Sequence, residues 1–371
     1  RLDTFTVVLQ DTVNPAHAPI PTNDSERLLF SQFSETLVRL DCRAELRPGL
    51  ASQWTRDDAR RQWVFTLRDS QNGSSSSAAA RISSTWLARP EVLHALGIES
   101  ADPGNEGRLV VTLRHPPDSQ PLLFADPALA VSLADEPISP TQTLVLQSNA
   151  GPPELVNFRV EPATDPRDAL DRGADLLVTR DPELAEYASS RPAFATFPLP
   201  WSRTYLLLQS ARSELFRAFQ ATDSARVSLA SDAVRAEARP AEPPFWWERL
   251  TCPARSGETA RPTSSRIVYP RGDGVARGLA ERIVALAGAG AGVRAAALSD
   301  SEFSMALKGG REEAYVVAAP LHSLAPCRDS SGWPAGASVT PLIDVRARAI
   351  VRRGSPPLWI DWLGTVRIVG S

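Results

Sequence analysis

The sequence predicts an α/β protein with at least two lobes, and three observations carry that expectation. Residues 266–319 read as strand, helix, strand, helix, strand, which implies a parallel sheet with right-handed crossovers. Ala174-Asp175-Leu176-Leu177-Val178 opens a comparable pattern far upstream. The 32 prolines in 371 residues exceed the average of about 5% and favour a loop-rich body with many strand edges over a helical bundle.

Taken in order, Phe5-Thr6-Val7-Val8-Leu9 reads as a buried strand. Pro15, Pro19 and Pro21 mark a loop, and a helix opens at Asn23 or Asp24 with Leu28, Leu29, Phe33 and Leu37 on one side. Thr36 to Leu40, Trp63 to Arg68 and Arg108 to Arg114 read as strands. The Ser- and Ala-rich tract Gly73 to Ala80 reads as a flexible surface loop. Ile267-Val268-Tyr269 is a strand, and Asp273 caps a helix whose apolar side is Val275, Leu279, Ile283 and Leu286. Gly288 to Gly292 stops that helix, Val293 to Leu298 is the next strand, Ser299 or Asp300 caps a second helix, and Ala314 to Ala318 is the third strand.

Composition excludes several functions. A formal net charge of −3 supplies no basic field for a polyanion, so nucleic acid is not expected as a partner. Four scattered histidines and three cysteines without C-x-x-C spacing exclude a structural zinc site, and neither a metal nor a cofactor is expected. No apolar run approaches the ~20 residues of a membrane-spanning helix; Leu279 to Leu298 is broken by Glu281, Arg282 and Arg294. Lys308 is the sole lysine, a skew that reads as coding bias. A first residue of Arg rather than Met fits removal of an N-terminal segment, a secretory signal being the commonest kind.

Enzyme signatures are missing: there is no H-E-x-x-H, G-x-S-x-G or G-x-x-x-x-G-K-[ST]. Gly288-Ala289-Gly290-Ala291-Gly292 follows a helix instead of joining strand to helix, so it is a helix stop and not a dinucleotide loop. Asp57-Asp58 and Glu312-Glu313 read as solvated charges in polar turns, and Arg271-Gly272-Asp273 as a turn and cap.

Several phrases occur in an order that resembles the extracytoplasmic solute-binding proteins of the oligopeptide and nickel type (family 5), receptors for ATP-driven importers. They are Glu35-Thr36-Leu37-Val38-Arg39-Leu40-Asp41, Leu46-Arg47-Pro48-Gly49-Leu50-Ala51-Ser52-Gln53-Trp54 and Trp63-Val64-Phe65-Thr66-Leu67-Arg68. Leu109 to Leu113 with Pro116-Pro117, Ala174 to Leu177, Tyr205 to Gln209 and Val339 to Val345 continue the match. The resemblance implies a bilobed periplasmic-binding-protein-like fold (type II, cluster C) with an inserted subdomain in lobe one. Lobe one would comprise 1–41, 146–209 and 339–371, the insert 42–145, and a shortened lobe two 210–338.

Two departures shape the expected function. The Asp-Gly phrase and acidic helix start that usually follow the "F-x-L-R" strand are replaced by Asp69-Ser70-Gln71-Asn72-Gly73 and the serine tract. Only Pro320 to Ser338 stands where the family carries a long cleft-lining segment. A cleft missing a wall holds ligand poorly. The leading expectation is therefore a non-catalytic structural or docking subunit of a membrane-attached complex (transport, respiratory or photosynthetic) facing the periplasm. The alternative is a receptor that captures a peptide or similar small solute for an importer permease.

Phe245-Trp246-Trp247 is the densest aromatic cluster and would either contact a ligand or partner or pack in lobe two. Trp201, beside the expected hinge, would line the cleft or pack under a proline-rich turn. Trp359 and Trp362 read as core packing in preference to contact with a partner. A disulfide between Cys252 and Cys327 would close a loop of roughly 75 residues, worth at most about 4–4.5 kcal/mol, the other reading being two buried thiols. Cys42 is expected unpaired and buried.

Overall fold

The computed structural model describes residues 4–68, 75–132, 138–139, 143–146, 154–210, 215, 219, 222–232, 237–241, 262–288, 292–320, 333–334 and 336–368. The chain begins with β1 (Thr4–Leu9), α1 (Asp24–Phe33), β2 (Ser34–Glu35) and β3 (Val38–Leu40). Asn23 starts α1 by accepting the Glu26 amide through its side chain at 2.8 Å. The helix stops at Phe33 because Ser34 turns extended. Leu37 therefore lies beyond it, not on its apolar face, and is buried against Val38 and Leu40 in a different core.

That core belongs to a unit made from β4 (Leu46–Pro48), β5 (Ala51–Asp57), β6 (Gln62–Leu67), α2 (Ser75–Leu87), α3 (Pro90–Ala95), β7 (Ile98–Pro103), β8 (Arg108–Leu113) and β9 (Val131–Ser132). Four of these strands form an antiparallel sheet in the order β5-β6-β8-β7. The Ser/Ala tract is not a surface loop: Ser75 to Ala80 are the first turns of α2. Small residues there let the helix lie close to the sheet, and Ala79, Ile82, Ser83 and Trp86 repeat at helical spacing on the buried side.

The chain returns through β10 (Thr143–Leu146), β11 (Glu154–Val160), α4 (Pro166–Asp171), β12 (Leu176–Thr179), α5 (Pro182–Ser189) and the 17-residue β13 (Phe194–Ser210). It continues through α6 (Asp223–Asp232), β14 (Ala238–Pro240), β15 (Arg266–Pro270), α7 (Gly274–Ala287), β16 (Arg294–Leu298), α8 (Asp300–Gly309) and β17 (Ala314–Pro320). It closes with the 16-residue β18 (Ala337–Arg352) and the hairpin β19 (Leu358–Ile360) and β20 (Val366–Ile368).

One ten-stranded sheet runs β10-β11-β1-β12-β18-β13-β17-β15-β16, with β14 also on β18. β1 is parallel to β11 and β12, and β15 is parallel to β16 and β17, as the strand-helix alternation predicts. β13 and β18 are antiparallel and long enough to serve both lobes. Their C- and N-terminal parts respectively join β17 and the second lobe, and their other ends join β12 and the first. Alternation sorts the side chains: Tyr205 and Leu207 face α7, whereas Leu206 and Leu208 join Phe303 and Tyr315.

The second-lobe caps stand where expected. Asp273 accepts the amides of Val275 and Ala276, Gly288 ends α7 at φ 75°, and Ser299 with Glu302 forms a capping box on α8. Glu312 and Glu313, however, are not solvated. Glu312 pairs with Arg266 and Glu313 accepts the Leu215 amide at 2.8 Å, so both are buried with partners. Cys42 is exposed rather than buried, in the turn after β3 where Ala44 takes φ 60°.

Candidate functional site

The two lobes meet where β13 and β18 cross, and the ladder between them is interrupted there. Register shifts fall between Pro198 and Trp201, between Trp201 and Arg203, and between Tyr205 and Leu206. Pro198 and Pro200 donate no ladder bonds, which accounts for the break locally. Between the second and third shifts the ladder is regular and sets Thr204 opposite Asp344. Thr204 donates to buried Asp344 at 2.8 Å, and Arg239 Nε reaches the other Asp344 oxygen at 3.2 Å. Arg346 and Arg348 both pair with Glu237, whose carboxyl they hold below its usual range against the opposing effect of burial.

A second row of charge crosses the junction from lobe one. Arg180, just past β12, forms a two-pronged pair with Asp24 at 2.8 and 3.1 Å and extends to Ser202 at 3.3 Å. Burial would raise the Asp24 pKa, but Arg180 and Arg203 outweigh it and hold the carboxyl well below the usual range. Arg203 stays firmly protonated despite burial, because Asp24 lies on one side and Tyr205 and Asp273 on the other. Tyr205 donates to both Asp273 oxygens at 3.0 Å, and burial with that carboxylate pushes its phenol pKa up. Asp273 thus caps α7 and anchors the second-lobe end of the row. Arg180 Nη1 and Arg203 Nε are buried donors without a hydrogen-bond partner.

Beyond Arg27 the row opens into a cavity of about 70 Å³ between α1, the loop at Pro19 and Pro21, the inserted unit near Ala125 to Ala130, and the β19–β20 hairpin. Arg27, Arg39 and Arg367 line it with Glu35 and Asp361. Glu35 is 1% exposed and pairs with both Arg39 and Arg68. Burial pushes Asp361 up to about 6, although its Oδ1 accepts the amides of Leu363 and Thr365 at 2.9 and 2.7 Å. Burial and the neighbouring Arg39 cation lower Arg367 to about 10.

Asp361 sets a pH dependence whose sign follows from proton linkage. Its folded pKa lies above the unfolded value near 3.9, so the folded state holds the extra proton between about pH 4 and 6 and loses that stabilisation as pH rises through this window. Asp361→Asn keeps an oxygen for both amides and cannot titrate. Relative to the parent, the variant is expected to gain stability from pH 4 to pH 7 in urea titrations, and a constant difference would contradict this assignment.

Of the residues singled out in the sequence, Trp201 lies at the crossing, half-buried, with Arg239 and Arg346 guanidinium groups over its ring at 4.7 and 4.6 Å. Two arginines thus stack on its ring. Phe245, Trp246, Trp247, Cys252 and Cys327 lie outside the described residues. Trp359 and Trp362 are half-buried and line the cavity, with Arg39 5.4 Å from the Trp359 centroid, so they are wall residues rather than simple core. Sequence reading missed Arg27, Arg180, Arg203, Arg367 and Asp361. The one local signal was Trp359-Ile360-Asp361-Trp362, an acid between two indoles. No group of metal-binding side chains occurs among the described residues.

No family model matches the chain and no curated protein matches its sequence. Solved structures do match. A dipeptide-binding protein from Pseudoalteromonas sp. SM9913, in complex with Met-Leu, superposes with TM-score 0.67 at 11% identity over 98% of this chain and 99% of that one. NikA from Brucella suis, in complex with Fe(III)-EDTA, gives 0.63 at 15% identity over 96% of each chain. HbpA2 from Haemophilus parasuis gives 0.63 at 11% over 99% and 100%. The match runs end to end although the sequences have diverged almost completely. This chain therefore has the bilobed fold of the solute-binding proteins of the oligopeptide and nickel type.

Proposed function

We propose that the protein is a non-catalytic, extracytoplasmic solute-binding receptor that delivers a small solute to the permease of an ATP-driven importer. The observation that carries this reading is the pair of buried, unpartnered guanidinium nitrogens, Arg180 Nη1 and Arg203 Nε, at the junction of the lobes. Each unpaired buried donor costs about 1–3 kcal/mol, a cost a ligand acceptor would relieve and a permanent docking role would not require. The full-length likeness to binding proteins solved with Met-Leu and with Fe(III)-EDTA supports the receptor over the docking-subunit reading first expected from the short chain. In this assignment lobe one is 1–41, 146–209 and 339–371, the insert is 42–145 and lobe two is 210–338. Trp201 then belongs to the hinge, and Phe245, Trp246 and Trp247 are contact candidates for ligand or permease. Closure would twist β13 and β18 about their interrupted ladder.

A panel of dipeptides, nickel–histidine and small organic acids tests the proposal by thermal unfolding and small-angle scattering. A true ligand at one hundred times its dissociation constant stabilises by about 2.7 kcal/mol. It should also reduce the radius of gyration. A protein that answers none of the panel and instead elutes from membrane extracts at fixed stoichiometry in a large complex would return the docking reading to first place.

A further inference from the structure

We infer that the cavity between α1, the inserted unit and the C-terminal hairpin binds a small organic acid, an anionic head on an apolar body, and not a cation or a free amine. It goes beyond the receptor reading and does not depend on it, since the wall is drawn from residues 19–40, 125–130 and 359–367 and includes neither Arg180 nor Arg203. The cavity's polar wall carries three guanidinium groups, Arg27, Arg39 and Arg367, against two carboxyl groups, Glu35 and Asp361. Glu35 has both oxygens engaged, one by Arg39 and one by Arg68. Asp361 already accepts two backbone amides on Oδ1. Both carboxyl groups thus already have donors, and arginine outnumbers them in the wall.

Donors, by contrast, are waiting. Ser34 is 3% exposed, lines the cavity, and its hydroxyl has no hydrogen-bond partner. Arg39 Nε, also in the wall, has none either. A buried donor without a partner is costly and calls for an acceptor. An acid's two oxygens would supply acceptors for Ser34 and Arg39 together, and the charge would offset the surplus of arginine. Apart from Ser31, Thr36 and Thr365 the rest of the wall is apolar, with Phe30, Pro127, Trp359 and Trp362 the largest surfaces. The space for water centres is about 70 Å³, several times the ~10–15 Å³ one water needs on that measure, and indole faces suit a flat apolar body.

Calorimetric titration of the intact chain with phenylacetate, phenethylamine, phenylalanine and Met-Leu tests the inference. Phenylacetate should bind saturably and phenethylamine should not. Ser34→Ala, with an unchanged melting profile, should weaken phenylacetate about 10-fold, the scale of one hydrogen bond to a charged group. Arg39→Lys, which keeps the charge and removes Nε, should weaken it as well. Absence of phenylacetate binding, tighter binding of the amine or zwitterion, or indifference to Ser34→Ala overturns the inference. If Met-Leu alone binds and compacts the protein, the inference falls and the receptor reading stands. If phenylacetate binds through Ser34 without compaction, and no panel solute compacts the protein, the acid site stands and the receptor reading falls.

Discussion

Trp86→Ala is expected to destabilise the inserted unit by about 3–5 kcal/mol, the range for deleting a large buried aromatic side chain. Trp86 is 1% exposed. Its ring stacks on Phe124 at 6.3 Å with planes 12° apart, and Phe124 meets Phe65 edge-on at 4.7 Å. Its indole nitrogen donates to the Leu129 carbonyl at 2.9 Å, tying α2 to the segment that leads back toward lobe one. The alanine variant removes the volume at the centre of this core and leaves that carbonyl short of a donor. Trp86→Phe keeps most of the volume and should cost less, the residue being mainly the lost hydrogen bond. Urea unfolding followed by circular dichroism distinguishes the pair. Equal losses would mean that packing at Trp86 matters little, and a loss below about 1 kcal/mol in Trp86→Ala would contradict the core assigned here.

Asp344→Ala is expected to cost a comparable 3–5 kcal/mol, because it removes one member of a buried charged contact and leaves the other behind. Asp344 has no exposed surface, accepts from Thr204, and meets Arg239, whose guanidinium also covers Trp201. Asp344→Asn retains an acceptor for Thr204 and should fall between the parent and alanine. The change should also alter Trp201 fluorescence through the displaced arginine, and Trp201→Phe in the same background identifies that contribution. Retained stability in Asp344→Ala would show that the crossing is held by backbone pairing alone.

Much of the fold was legible because period-two strands and helix caps are local signals. Asp273 and Ser299 announce their helices within a few residues, and the unbroken apolar run Tyr205 to Leu208 fits a strand buried on both faces. The serine-alanine tract was misread because composition suggests solvation, whereas the buried positions Ala79, Ile82 and Trp86 become visible only when the helix is continued past Ala80. Glu312 and Glu313 failed for a related reason: their partners, Arg266 and the Leu215 amide, are 46 and 98 positions away. The candidate site was almost illegible. Arg27, Arg39, Arg180, Arg203 and Arg367 are spread along the chain among many other arginines. Only the packing of helix, sheet and hairpin brings them within reach of one another, and the aromatic cluster that stood out in the sequence lies outside the described residues.

The partnership of β12 with β18 has a consequence for how the chain comes into being. Leu176 pairs with Val351, which emerges from the ribosome 175 residues later. Until then the parallel core of β11, β1 and β12 presents a bare edge of amides and carbonyls, built on an apolar run, to any strand that passes. Strand β18, made long after its partner, is therefore the one that seals the first lobe. Premature chains ending before residue 337 should be captured by chaperones or aggregate, however intact their first 200 residues are.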